Sequence, residues 1–192
     1  MKNESSVGVI IPLSWDNNKW EQGETFNHNQ SKSLIRDYLF TQEKITFGNH
    51  KYPLEDDGTY IGYSRMITKM LKRDDEFYWN DYEIIFFVSS FKIRYIIGLY
   101  LHPQVDWSFG RKRKHEVFNS FTFTNIKARS ENIVRFENFV PIRSDGRFVS
   151  IFKNLKTTDY AYLGKSDIHE ILDEAIHRNP NQNELKTILT KI

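Results

Sequence analysis

Two apolar runs rich in β-branched and aromatic residues follow one another across a gap with room only for a turn. They are Tyr82-Glu83-Ile84-Ile85-Phe86-Phe87-Val88-Ser89-Ser90 and Lys92-Ile93-Arg94-Tyr95-Ile96-Ile97-Gly98-Leu99-Tyr100-Leu101. Such residues suit a pleated, half-buried surface, and a tight connection allows antiparallel pairing only. The segment therefore predicts a central β-hairpin on which the rest of the chain must build. Residues Val7 to Leu13 form a short apolar run ended by Pro12, read as a buried strand. Further strands are expected at Ser120 to Ala128, Ile133 to Ile142 and Arg147 to Phe152. About six short strands in a row point to a curved sheet or a small barrel.

Helical spacing appears at three places. Leu34, Ile35, Tyr38 and Leu39 suit a brief helix, and Met66, Ile67, Met70 and Leu71 suit an amphipathic one after the turn Asp56-Asp57-Gly58 and the strand entry Thr59 to Tyr63. Near the C-terminus, Ser166 is placed to cap a helix with the stripe Ile168, Ile171, Leu172, Ala175 and Ile176, stopped by Asn179-Pro180. Asn181 and Glu184 have capping-box spacing before a second helix carrying Leu185, Ile188, Leu189 and Ile192. The expected architecture is α+β: a small twisted β-barrel of about six strands with flanking helices and a C-terminal helical pair. Residues 1–160 would form the domain, with 161–192 packed on it or leading to a linker.

At 192 residues the chain is long enough to bury a sizeable core, and its 15% aromatic content is too high for a disordered polymer. Cysteine is absent, which excludes disulfides, thiolate metal sites and thiol nucleophiles. The opening Met1-Lys2-Asn3-Glu4-Ser5-Ser6 has no apolar signal region, and no apolar run approaches the roughly 20 residues of a spanning helix. A soluble, cytoplasmic protein without membrane partners is expected.

Net charge is only +2, but its distribution is uneven: Phe91 to Lys156 holds thirteen basic and five acidic residues. The densest part, Arg111-Lys112-Arg113-Lys114-His115, is expected in a loop and follows the aromatic-rich Asp106-Trp107-Ser108-Phe109-Gly110. About four phosphate contacts from such a run would give duplex DNA a log–log salt slope near −3 to −4. Arg111, Lys112, Arg113 and Lys114, together with Lys127 and Arg129, are the candidate phosphate ligands. Aromatic side chains also stand where a core does not call for them. Trp15 and Trp20 lie in a polar loop, Tyr60 and Tyr63 flank Ile61-Gly62 at a strand entry, Trp79 sits among polar residues, and Trp107 precedes the basic run. Aromatic faces hold an unstacked base at roughly 1–3 kcal/mol each. Trp15, Tyr60, Tyr63 and Trp107 are therefore the leading candidates for base binding, followed by Trp20 and Trp79. For any one of them the plainer alternative is a ring folded back onto the core.

Catalytic patterns are sparse. His169 and His177 are eight residues apart on one expected helix and lack the spacing of a zinc site. His102 and His115 flank the aromatic and basic stretch and supply an alternative, the acid and base of a metal-independent nuclease. No phosphate-cradling glycine loop, nucleophile elbow or calcium loop is present. No cofactor and no metal are expected.

The elements Ile11-Pro12-Leu13-Ser14-Trp15, Gly58-Thr59-Tyr60-Ile61-Gly62-Tyr63, Tyr82 to Ser89 and Tyr95-Ile96-Ile97-Gly98-Leu99-Tyr100-Leu101-His102-Pro103-Gln104-Val105 together resemble the PUA-like superfamily. This group includes the EVE and YTH modified-base readers, and the likeness is to N-terminal specificity domains of McrBC-type modification-dependent restriction systems. It covers about residues 7 to 142. It implies a twisted barrel, an aromatic pocket for a flipped or unpaired base, and a basic surface for the strand. It also implies a non-catalytic DNA-targeting module, with a downstream AAA+ motor and nuclease as partners and methylated DNA as the target. An RNA-binding PUA-like protein is the other alternative. The opening Tyr-Trp strand of EVE domains is missing and the stretch from Gln22 to Ser33 has no counterpart, so no pocket residue carries over one for one.

Overall fold

The computed structural model describes residues 7–13, 43, 46–50, 54–71, 82–90, 93–105, 113–115, 120–122 and 124–192. The chain divides into two compact units. One comprises Met1–Leu13, Tyr78–Pro103 and Glu131–Ile192, the other Ser14–Phe77 and Gln104–Ser130. The division follows packing rather than chain order, so the 1–160 block expected as one domain is shared between the units. The C-terminal helices belong to the first.

The first unit is built on a five-stranded sheet. Its members are β1 (Gly8–Pro12), β3 (Ile84–Ser90), β4 (Arg94–Leu101), β9 (Ile133–Ile142) and β10 (Ala161–Leu163), in the spatial order β10-β1-β3-β4-β9. The central hairpin is present as expected, with Ile84 opposite Leu101 and Ser90 opposite Arg94. β1 runs parallel to β3 and antiparallel to β10. Residues Ile84 to Ser89 are all buried, so β3 carries a continuous apolar run instead of an alternating one. Against Ile10, Ile84, Phe86, Leu99, Leu101 and Phe136 pack the helices α2 (Val149–Thr158), α3 (Lys165–Arg178) and α4 (Asn183–Leu189), through Ile151, Leu155, Ile168, Ile171, Leu172, Leu185 and Ile188.

The second unit holds a three-stranded antiparallel sheet of β2 (Thr59–Gly62), β8 (Ile126–Arg129) and β5 (Gln104–Val105), in the order β2-β8-β5. A two-stranded ribbon, β6 (Arg113–His115) and β7 (Ser120–Thr122), and the helix α1 (Arg65–Leu71) complete its described elements. Buried Asn125 ties strand to helix. Its amide nitrogen donates to the Ser64 carbonyl at 2.7 Å and to Thr68 Oγ1 at 2.9 Å, while its oxygen accepts from the Ser64 N–H at 2.9 Å.

The α+β class is therefore observed. Among the described residues the sheets are open and none closes on itself. Several local expectations are corrected. Arg147 to Phe152 is not a strand: Phe148, Ile151, Phe152 and Leu155 repeat at helical spacing, and that face of α2 packs into the core. The basic run is not all loop, because Arg113–His115 forms β6. Ser120 to Ala128 contains two strands, β7 and β8, instead of one. The helix caps also shift. α3 starts after Gly164, whose N–H donates to the Asp167 carboxylate at 2.9 Å, and α4 follows Gln182 with no side-chain cap. The helix expected at Leu34 to Leu39 lies outside the described residues.

β9 is irregular where it meets β4. Arg135 opposes Gly98 and Val140 opposes Ile96, so residues 136–139 bulge out opposite Ile97. A bulge leaves ladder groups unpaired, and buried backbone groups need partners. The C-terminal helices supply them. Asn179 Nδ2 donates to the Asn138 carbonyl at 2.9 Å and to that of Ala175 at 2.8 Å, while its oxygen accepts from the Asn138 N–H. Gln182 Nε2 donates to the Arg135 carbonyl at 2.7 Å.

Asn179→Ala should therefore lower unfolding stability by about 1–2 kcal/mol, because it removes the side-chain bonds that hold the Asn138 backbone to the end of α3. Denaturant unfolding checks this, and a change below the error of the fit would contradict it. Gly8 sits where an added Cβ would meet Ile84 Cγ2 at 2.8 Å and Ile168 Cδ1 at 3.0 Å, whereas at Gly146 the nearest atom is Arg143 Cβ at 3.6 Å. Gly8→Ala should cost about 1–3 kcal/mol by overpacking, and Gly146→Ala should leave the thermal midpoint nearly unchanged.

Candidate functional site

Tyr60 and Tyr63 do not line an open pocket. They are 1% and 3% exposed and belong to the core of the second unit. Alternation along β2 turns Tyr60 and Gly62 inward, and burying a ring of this size favours the interior over solvent. Burial, set against a hydrogen bond with Thr68, raises the Tyr63 phenol above its ordinary range. Trp15, Trp20, Trp79, Trp107, Arg111 and Lys112 lie outside the described residues. Arg113, Lys114 and His115 are placed on β6 as backbone only. Lys127 and Arg129 lie on β8 opposite Ile61 and Thr59, alternating with buried Ile126 and Ala128. His102 occupies an exposed turn after β4 with φ 46°, in the first unit, whereas His115 belongs to the second. Among the described residues no cluster of His, Asp and Glu is arranged to hold a metal ion.

The first unit presents a site that single-residue reading did not single out. It lies at the end of the sheet where Ser90 opposes Arg94 and Arg94 opposes Ile142. From Ile142 the chain turns through Arg143, Ser144, Asp145, Gly146 and Arg147 into α2, where Phe152 and Lys156 stand one helical turn apart on the same face. Ser90, Arg94, Ile142 to Asp145, Phe152 and Lys156, with Ile93, line a cleft of about 650 Å³. The Arg94 guanidinium lies over the Phe152 ring, 5.7 Å from its centroid. Arg94 Nη1 is buried and has no hydrogen-bond partner among the described residues. Buried donors are nearly always paired, so an unpaired one on a cleft-lining residue is uncommon. Arg143 and Lys156 line the cleft as further cations, and Asp145 is the single acid among its lining residues. Ile93 is 36% exposed, one of two large apolar side chains that stand out from the described surface. Apolar and aromatic side chains beside three cations suit a planar ligand that carries negative charge.

The signal for this cleft was in the charge distribution. Arg94, Arg143 and Lys156 all fall in the basic segment Phe91 to Lys156, but they are scattered through it instead of forming a run.

A second aromatic group in the same unit is closed on itself. Tyr82 stacks on Tyr162 at 6.1 Å, and Tyr160 meets Tyr162 edge-on at 5.4 Å. Burial first, then the neighbouring phenols, holds the Tyr162 hydroxyl far above the ordinary tyrosine range. Tyr63 and Tyr162 thus keep their protons more tightly folded than unfolded. Their contribution to stability should be complete below pH about 10 and fall as pH rises beyond it. In a phenolate absorbance titration, a subset of tyrosines should ionise only as the protein unfolds in alkali. Ionisation of every tyrosine in one step near pH 10 with the fold intact would contradict this.

Among the described residues no helix is long and apolar enough to cross a membrane. In comparisons with family models, curated proteins and solved structures, nothing matches this chain, so its function rests on the cleft and the fold that holds it.

Proposed function

We propose that the protein is a non-catalytic nucleic-acid-binding module that grips DNA through the cleft at the end of its five-stranded sheet. The observation that carries this is the Arg94 guanidinium over the Phe152 ring, with a buried Nη1 that has no partner among the described residues, in a cleft that Arg143 and Lys156 also line. A guanidinium is a fork of donors that matches phosphate oxygens, and an aromatic face accepts a base of any sequence. The cleft volume falls in the range of sites that take a group the size of a nucleotide. The basic run Arg111 to Lys114 is proposed as a further phosphate-binding element. The PUA-like resemblance extends the proposal to targeting in a modification-dependent restriction system, with the cleft as the place where a modified base is held. An AAA+ motor and a nuclease would then reside in other domains or subunits. RNA in place of DNA is the alternative that the same chemistry allows.

Fluorescence anisotropy across a salt series tests the proposal. Arg143→Gln and Lys156→Gln should each weaken DNA binding and reduce the magnitude of the log–log salt slope by about 0.7–0.9 for each phosphate no longer neutralised. Phe152→Ala should weaken binding by roughly 1–3 kcal/mol per stacked base and leave the slope unchanged. Wild-type affinity and slope in all three variants would overturn the assignment of the cleft. RNA outcompeting DNA of equal length would favour the alternative.

A further inference from the structure

A smaller cavity of about 210 Å³ lies on the other side of Arg143, which lines both. Arg147 and Arg178 also line it, over buried Phe148, and Glu174 stands between them. Arg147 Nη1 donates to Glu174 Oε2 at 3.0 Å, and Arg178 Nε donates to Glu174 Oε1 at 2.7 Å. Each guanidinium has five donors, and these bonds use one on each. One carboxylate therefore holds two guanidiniums in place without exhausting either. With Arg143, the cavity carries three cations against one anion.

We infer that the two cavities, joined at Arg143, form one track for consecutive phosphates of a single-stranded nucleic acid. This rests on the nucleic-acid function proposed above and names the ligand of that same site. The larger cleft takes an unstacked nucleotide against Arg94 and Phe152, and the smaller cavity takes the next phosphate on Arg147 and Arg178. A duplex keeps its bases stacked and paired inside, so an aromatic ring lining a cationic cleft meets a base face only where the strand's bases are free. Glu174 has two functions along this track. It positions the two arginines, and its negative charge competes with the incoming phosphate.

The test uses the whole chain and four probes at one low ionic strength: thymidine monophosphate, an oligothymidylate of about eight nucleotides, a mixed-sequence single strand, and a duplex of that strand's length. The single strands should bind at least about tenfold more tightly than the duplex and far more tightly than the mononucleotide. Replacing Arg147 and Arg178 together by Gln should collapse the ratio of oligonucleotide to mononucleotide affinity. Phe152→Ala should weaken both probes. Glu174→Gln keeps a hydrogen-bond acceptor between the arginines and removes the competing charge, so it should tighten oligonucleotide binding about threefold. A purely structural Glu174 would give no gain. Equal affinity for duplex and single strand, or an unchanged affinity ratio in the Arg147 and Arg178 variant, would overturn the track while leaving nucleic-acid binding in place. Failure of every probe to bind would overturn the underlying function together with the track.

Discussion

Everything at the candidate site depends on how β9 pairs with β4. The two strands are in step from Ile133 to Arg135, part at the bulge opposite Ile97, and pair again from Val140 to Ile142. That second register puts Arg94 next to Ile142 and starts the Arg143 to Arg147 turn at the sheet's end. A bulge of this size is stable only if its exposed ladder groups are bonded elsewhere. Asn179 and Gln182, from the link between the last two helices, bond to the backbone at Arg135, Glu137 and Asn138. The C-terminal helices therefore do more than cover a face. They fix the register that assembles the cleft, although none of their core residues enters it.

The same physical logic separates aromatic side chains that pack from those available to a ligand. Tyr60, Tyr63 and Tyr82 satisfy themselves in the interior, by burial and by hydrogen bonds within their own neighbourhoods. Phe152 packs against the core only in part. It is half-buried, and its partner is a cation with donors to spare. An aromatic ring beside an under-satisfied guanidinium is a better indicator of a site than a surplus of rings in polar sequence. Such a surplus includes every ring that folds inward.

Much of the architecture was legible because burial leaves a periodic trace. The central hairpin, β1, β9 and the helices α1, α3 and α4 all stand at their expected places. Arg147 to Phe152 reads as a strand because Val149, Ile151 and Phe152 have high strand propensity, whereas the core beneath selected the helical repeat that continues to Leu155. The short β5 and β10 have two and three residues, too few for any period to show. The cleft was hidden for a related reason. Its cations belong to β4, the turn after β9 and α2, and nothing in a linear pattern ties Arg94 to Lys156.

By itself the amino-acid sequence determined the α+β class, the absence of thiol chemistry, and a basic middle segment, since these follow from residue type and local spacing. Only the tertiary structure decided which of those cations share one concave surface, which aromatic rings are spent on the core, and that Arg94 Nη1 has no partner among the described residues. Those outcomes depend on strand register and on helix docking across long stretches of chain, where local preference carries no information.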